Sequence, residues 1–594
     1  MFSAEKQADF TIFRQKKIKK RIGQIVDMIV SAISLWKKFN LTTPLGASEW
    51  EIEEKDGLRS SHVTFSGHAV SDGSVRIYAR FIRPITKGNT PTVLLLGDAG
   101  KPVDEELMRY FADKGYAVLM PDYSGKCAND QDGVFRTIYP PSLDYGNLEK
   151  ARGLVDMEGL LADQTTWFEW TYVALFALQY LKTVDGIGNI GVVGVRAGGD
   201  IAWHVMLSPD VKCGVPINAV GWKSFSGVAK FGENTAYNLR DDRHRYIAAV
   251  EAQSYAPYVK CPTLMLCSLR DGCFDADRAY DTYSRIGCQD DNALCYSVTS
   301  GACIGPNALI DMDLFLEKNL KGREIYVPNT LNVTLNEGVD GMQITVDCDK
   351  EGILEEAGVF YAESDVRTRC AYRDWRQIFK TDGKKVKDGK IVCSVKPFAG
   401  ATAVFVYAYA KYINGFRVMS KITAKKLVHP DPYAVKGKML FSGKEMDTFG
   451  VAEYKDYSIG DIFLERFAEL KKITGYASIQ GAYSVGGIKT YKVSSPTYSP
   501  EENALLKLDA YFPQDGDLKI SVEVGDVEKD YERYSAIVPV KGGGKWKQIV
   551  LKSGDFKGEN SGMPLGNFSD GRAMIFDVDG EEEQEFAITN VLWL

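Results

Sequence analysis

The stretch "GVVGVRAGGD", residues 191–200, decides how the first half of this chain is read. Its valines continue the apolar run "IGNIGVVGV" (187–195), which predicts a short strand buried on both faces. "GGDIAWHVML" (198–207) then opens a helix. Gly194, Ala197, Gly198 and Gly199 are the small residues that a sharp strand-to-helix turn requires. At the tip of the turn stands Arg196, whose guanidinium stays protonated and has no lone pair to offer. The turn has the shape of one that presents a nucleophile, without a nucleophile.

The pattern repeats outward from there. "HVTFSGHAVSDGSVRIYARFIRP" (62–84) alternates like paired strands around an "SDG" turn. "TVLLLGDAG" (92–100), "YAVLMPDYSG" (116–125), "GVPINAVG" (214–221) and "CPTLMLCSLRD" (261–271) are further buried strands. Between them "DEELMRYFADKG", "TTWFEWTYVALFALQYLKTV", "DADRAYDTYSRIG" and "LIDMDLFLEKNL" read as helices. Apolar strands alternating with helices predict a mostly parallel sheet covered by helices on both faces. This α/β unit is assigned to 49–322. After Lys321 the text turns to short alternating strands separated by Gly, Asp and Asn, which predicts a β-sandwich over 323–430, with Trp375 and "VFVYAYAKY" in its core. "VHPDPYAV" (428–435) is a proline-bearing linker, and 431–594 forms a second all-β unit. The fold class is therefore multidomain, one α/β unit followed by two all-β units.

Length and composition agree. A chain of 594 residues exceeds what one core supports, and about three or four domains are expected. Its 45% hydrophobic and 25% charged residues are those of a soluble globular protein. A net charge of −7 gives no reason to expect nucleic acid as a partner. The eleven cysteines form no CxxC pair, so structural zinc has no support, and their odd number suits a reducing cytoplasm. Residues 1–48 hold a basic amphipathic helix around 12–39, "KKIKKRIGQIVDMIVSAISLWKKF", with Ile18, Ile22, Ile25, Ile29 and Ile33 at helical spacing. It is too polar and too short to span a bilayer. Docking on the next domain or a second subunit is the expectation, with membrane-surface contact the alternative.

Residues 55–320 resemble the α/β-hydrolase superfamily, and within it the acetyl xylan esterase and dienelactone hydrolase-like proteins. The resemblance rests on "VLLLGDAG", "GYAVLMPDYSG", the Trp-bearing helix before "IGVVGVRAGGD", and "CPTLMLCSLRDG". It implies that Gly97, Asp98 and Ala197 lie on the oxyanion side, that Arg196 occupies the nucleophile position and that Asp271 is in the acid's place. The triad order on this fold is nucleophile, acid, histidine, and after His244 the next histidine is His429. "VTSGACIG" (298–305) offers Cys303 near the histidine position. Serine and histidine are both missing, and their loss costs a serine hydrolase a factor of about 10⁶. The expectation is a degenerate, non-catalytic hydrolase. The alternative is an active ester hydrolase with non-standard residues.

Cys213, Cys267, Cys273 and Cys303 all fall near strand ends where ligands bind, but a cysteine nucleophile needs a base. His204, in the helix after the turn, reads as a packed residue. Arg196 is expected to pair with Asp200 one helical turn on. Asp275 or Asp277 is expected to cap the helix that follows, and no metal or other cofactor is called for. The 323–430 unit resembles fibronectin III or immunoglobulin-like sandwiches, which imply a spacer or docking surface. "KWKQIVLKSGDFK" with the closing "FAITNVLWL" resembles the jelly-roll carbohydrate-binding modules. That resemblance implies a platform of exposed aromatics, for which Tyr531, Tyr534 and Trp546 are the candidates, with Tyr498 and Tyr511 beside them; Trp546 and Trp593 sit in strands expected to pack inward. A small molecule, a carbohydrate or a protein is the implied partner.

Overall fold

The computed structural model describes residues 31–594 except 87, 127–133, 155–159, 226–227, 233–240, 301–302, 430–435, 444–450, 453–457, 461, 464–465, 468, 473–479, 526–529 and 581–583. The first sheet contains β1 (Ser48–Lys55), β2 (Leu58–Val70), β3 (Gly73–Pro84), β4 (Thr90–Leu96), β5 (Ala117–Pro121), β6 (Ile187–Val195), β7 (Val211–Ile217), β8 (Leu264–Arg270) and β9 (Ala293–Ser300). Their order is β1-β2-β3-β5-β4-β6-β7-β8-β9. The first three strands are antiparallel, and from β5 onward neighbours run parallel. Within β4, Leu94 and Leu96 face one core while Val93 and Leu95 face the other, so the strand has to be apolar at every position.

Four helices matter for the site: α1 (Glu105–Ala112), α2 (Thr166–Thr183), α3 (Ala197–Val205) and α4 (Pro306–Lys321). Asp104 caps α1 and Thr165 caps α2 through their side-chain oxygens. Helix α2 is apolar almost all round and is buried almost all round, with Trp170 and Phe176 fully enclosed. The strand order, the flanking helices and the turn at 196 form the α/β-hydrolase architecture. Two helices, Asp241–Ala249 and Ala252–Tyr255, were not legible, because "DDRHRYIAA" is mostly polar and carries little apolar periodicity.

The expected amphipathic helix is described only from Ala32 to Trp36, with Ala32 and Leu35 buried against the α/β core; residues 12–30 lie outside the described residues. Phe39 stacks on Phe168 of α2 at 4.5 Å. No helix among the described residues is long and apolar enough to cross a membrane.

The second unit pairs β10 (Asn332–Gly338), β11 (Gly341–Asp347) and β14 (Lys390–Val395) in one sheet. Its other sheet holds β12 (Leu354–Ser364), β13 (Arg376–Asp382), β15 (Ala403–Tyr412), β16 (Arg417–Met419) and β17 (Thr423–Lys426). Trp375 and β15 are buried as expected, but their core is continuous with that of the α/β unit. Trp375, Phe405 and Tyr407 pack in one cluster with α2, and Val404 and Val406 in another with Phe315 of α4. Arg373 grips Asp277 with two hydrogen bonds of 2.7 Å, both side chains fully buried, and Arg417 binds Asp311 at 2.9 Å. This sandwich is fused to the α/β unit, which corrects the expectation of a spacer.

The C-terminal unit is a pair of facing sheets. One includes Leu505–Tyr511 and Phe586–Trp593, the other Gly516–Val524, Glu532–Val540 and Gly571–Val578. Its core of Leu508, Phe512, Ile520, Phe576 and Trp593 is separate from the other two clusters. It touches the rest of the chain through polar and ring contacts and through Ile459 and Ile462, which pack on the cluster that holds Phe111 and Phe315. The Ser494 hydroxyl donates to the Tyr372 carbonyl at 2.5 Å, and the Arg270 guanidinium lies 3.9 Å over the Tyr491 ring.

Candidate active site

Strand β6 ends at Val195 and α3 begins at Ala197, leaving Arg196 alone to make the turn. Its torsions, φ 51° and ψ −109°, lie outside the regions that side-chain-bearing residues prefer. The close approach of strand and helix explains the glycines. A Cβ on Gly194 would stand 2.3 Å from the Gly198 carbonyl oxygen, and one on Gly198 would stand 2.1 Å from that of Leu96. The strained turn that displays a nucleophile in this architecture is intact, and it displays an arginine.

The loop after β4 supplies the next part. The Asp98 carboxylate accepts hydrogen bonds from the N–H of Ala99 at 2.9 Å and of Ala197 at 3.3 Å, and its other oxygen lies 3.4 Å from Arg196 Nε. The Ala197 N–H is the group that, in a working hydrolase, would face the developing oxyanion. Here it already holds a carboxylate. Gly97 serves the frame, its carbonyl accepting from the Tyr123 hydroxyl at 2.7 Å.

Asp271 follows β8 and is almost wholly buried. It accepts from the Cys273 N–H at 2.8 Å, and the Cys273 thiol in turn takes a hydrogen bond from Arg196 Nη2 at 3.3 Å. Burial pushes the Asp271 carboxyl up against the opposing pull of the Cys273 N–H and Arg196. Burial disfavours the Arg196 charge, yet Asp271 and Asp98 outweigh it and hold the guanidinium above its ordinary value. For the Cys273 thiol, desolvation and Asp271 act together and push it up, away from the thiolate a nucleophile needs.

Asp200 is not the partner of Arg196. It is buried and ion-paired with Lys223, whose backbone N–H is held by Glu251 at 3.0 Å. Arg196 sits in non-helical torsions, so the spacing rule for one helix face does not reach it. Cys303 is half-buried in the loop after β9, where its carbonyl accepts from the Thr299 hydroxyl at 2.6 Å. The arrangement brings together Arg196, Asp98, Asp271 and Cys273, with Lys223 beside them. Lys223 had no signal in the sequence; Cys273 did, standing two residues after the acid in "DGC". Cys213 and Cys267 are core residues. No disulfide joins the described cysteines.

No described histidine serves this group as a base. His204 is buried between Thr171 and the Val250 carbonyl, with its pKa pushed down to about 4 by burial. Asp275 caps the short turn at 276–278, as expected, while Asp277 is committed to Arg373. No cluster of metal-binding side chains occurs among the described residues.

The expected aromatic platform is divided. Tyr534 belongs to one C-terminal sheet and is turned to the core, while Tyr531 immediately precedes that strand with its hydroxyl on Glu523 at 3.1 Å. Trp546 precedes a strand of the other sheet and packs at 5.7 Å on Tyr511, outside the core. Tyr534 and the strand that follows Trp546 lie in different sheets; Trp593 alone of the two tryptophans packs inward. Tyr498 packs on the same core and accepts the Trp593 indole N–H at its carbonyl.

Among solved structures, the chain is similar to acetyl xylan esterase 1 from a Thermoanaerobacterium species, at 15% identity and a TM-score of 0.37, over 48% of this chain and 93% of that one. An acetyl xylan esterase from a Paenibacillus species gives 16% identity and a TM-score of 0.37, over 49% and 92%. The 2,6-dihydroxy-pseudo-oxynicotine hydrolase gives 15% and 0.31, over 50% and 74%. No protein-family model matches the chain, and no curated protein does.

Proposed function

We propose that this protein is a silent hydrolase, a scaffold that retains the architecture of an esterase and works by binding a ligand or partner. The observation that carries this reading is the Asp98 carboxylate on the Ala197 N–H, clamped by Arg196. A carboxylate there repels the negative charge that ester hydrolysis must develop at the same place. The missing serine and the neutral, buried His204 support the same reading.

One observation favours a second reading, an esterase built on cysteine: the Cys273 thiol is within 3.3 Å of a guanidinium and beside the acid position. Hydrolysis of para-nitrophenyl acetate by wild type, Arg196→Ala, Cys273→Ala and Cys303→Ala separates the two. A silent hydrolase gives the same unsaturable background in all four. Saturable turnover in wild type overturns it, and its loss in Cys273→Ala alone establishes the cysteine enzyme.

A further inference from the structure

Away from the elbow, a cleft of about 440 Å³ opens between β9 and the facing sheet of the fused sandwich. Its size is that of a small-ligand site. One wall is aromatic: Phe360 and Tyr407 stack at 4.9 Å with nearly parallel rings, and Tyr296 meets Tyr407 edge-on at 5.5 Å. Tyr407 is 1% exposed and Tyr296 is 2% exposed. The Tyr296 hydroxyl is buried with no hydrogen-bond partner among the described residues, and Tyr407 lines the cleft beside it. A buried phenol left unsatisfied at a cleft is unusual, since buried polar groups are nearly always paired. Burial raises the pKa of both tyrosines, so both are protonated donors.

The one carboxylate among the described lining residues, Glu356, is already engaged. Glu356 takes the Tyr409 hydroxyl at 2.6 Å and Lys380 at 2.9 Å. The remaining polarity is of the other sign, because α4 starts at the cleft with Pro306 and no side-chain cap, so the positive end of its dipole faces the same space. From these observations we propose that the cleft binds a small aromatic acid, its ring against the Phe360–Tyr407 wall and its carboxylate accepting from Tyr407. The inference concerns a site distinct from the elbow and stands whether or not the elbow is silent.

Calorimetric titration of the full chain with para-hydroxybenzoate, para-hydroxybenzamide and cyclohexanecarboxylate tests it. The aromatic acid binds saturably, and both the neutral amide and the non-aromatic acid bind at least about tenfold more weakly. Tyr407→Phe keeps the ring, weakens the acid by about tenfold or more, and leaves the melting temperature of the free protein unchanged or higher. Absence of saturable binding up to about 5 mM overturns the proposal. So does equal affinity for acid and amide, or equal affinity in wild type and Tyr407→Phe. Ester turnover is no part of this readout, so its failure and that of the silent-hydrolase reading are told apart.

Discussion

Arg196 is held at φ 51° by the turn around it, and that strain belongs to any residue with a Cβ. Arg196→Ala and Arg196→Gly remove the same ion pair, yet only glycine relaxes the torsion. Arg196→Gly is therefore expected to be more stable than Arg196→Ala by about 1–2 kcal/mol, the reverse of the usual order of these two residues. Urea denaturation of the pair decides it, and a more stable alanine variant removes the claim of strain. The turn itself was legible, because its glycines and its position between strand and helix are fixed by local sterics. Its partner was not. Asp98 lies 98 positions before Arg196 in sequence, and only the sheet order brings β4 beside β6. A second titrating residue sits nearby in the fold. Asp122, after β5, accepts the backbone N–H groups of Lys126 and Thr137, yet burial pushes its pKa up to about 6. A raised folded-state pKa means the folded chain holds this proton more tightly than the unfolded one. Its contribution is fully present below the ordinary value of 3.8 and is lost as pH rises through about 6. The loss amounts to roughly 3 kcal/mol at neutral pH. Unfolding free energies of wild type and Asp122→Asn, measured from pH 4 to 8, are expected to differ in slope across that window, and parallel curves sink the assignment.

At the scale of elements, the segment that follows β8 is positioned from outside the α/β unit. The Gly272 carbonyl accepts from Arg369 Nη2 at 2.9 Å, and Asp277 is gripped by Arg373. Both arginines come from the sandwich, which thereby sets where Asp271 and Cys273 stand. A fully buried charge pair is costly to break from one side, because the surviving charge has no partner and no water. Arg373→Met is expected to cost about 3–5 kcal/mol, and adding Asp277→Leu to recover most of that loss. Chemical denaturation of both variants is the check; a double variant as unstable as the single one would show that the guanidinium acts through packing on the Phe405 ring, which it covers at 3.4 Å. The parallel strands were legible because each is apolar at nearly every position, the mark of burial on two faces. What Trp375 and β15 bury against was not, since a sandwich core and an interdomain core have the same composition.

At the scale of the whole molecule, two of the three hydrophobic clusters are shared by the α/β unit and the sandwich, so two cooperative bodies are expected rather than three or four. Both clusters of the first body draw side chains from the α/β unit and from the sandwich, so cutting at 322 exposes Asp277 and Asp311 without their arginines and uncovers the wall of β9. The third cluster is built of residues from 440 to 593, and its unit meets the rest through hydroxyls, rings and two apolar side chains, Ile459 and Ile462. Polar contacts exchanged against water contribute little to the stability of either side, and two isoleucines are a small surface beside the shared cores. Calorimetry of the full chain is therefore expected to show two unfolding transitions. A chain ending at 430 keeps one of them within a few degrees of its original temperature and loses the other. A chain ending at 322 shows no cooperative transition. If the 322 chain melted sharply at the temperature of the first body, the shared core would be a contact between independent domains, and the sandwich could not be what fixes the loop carrying Asp271.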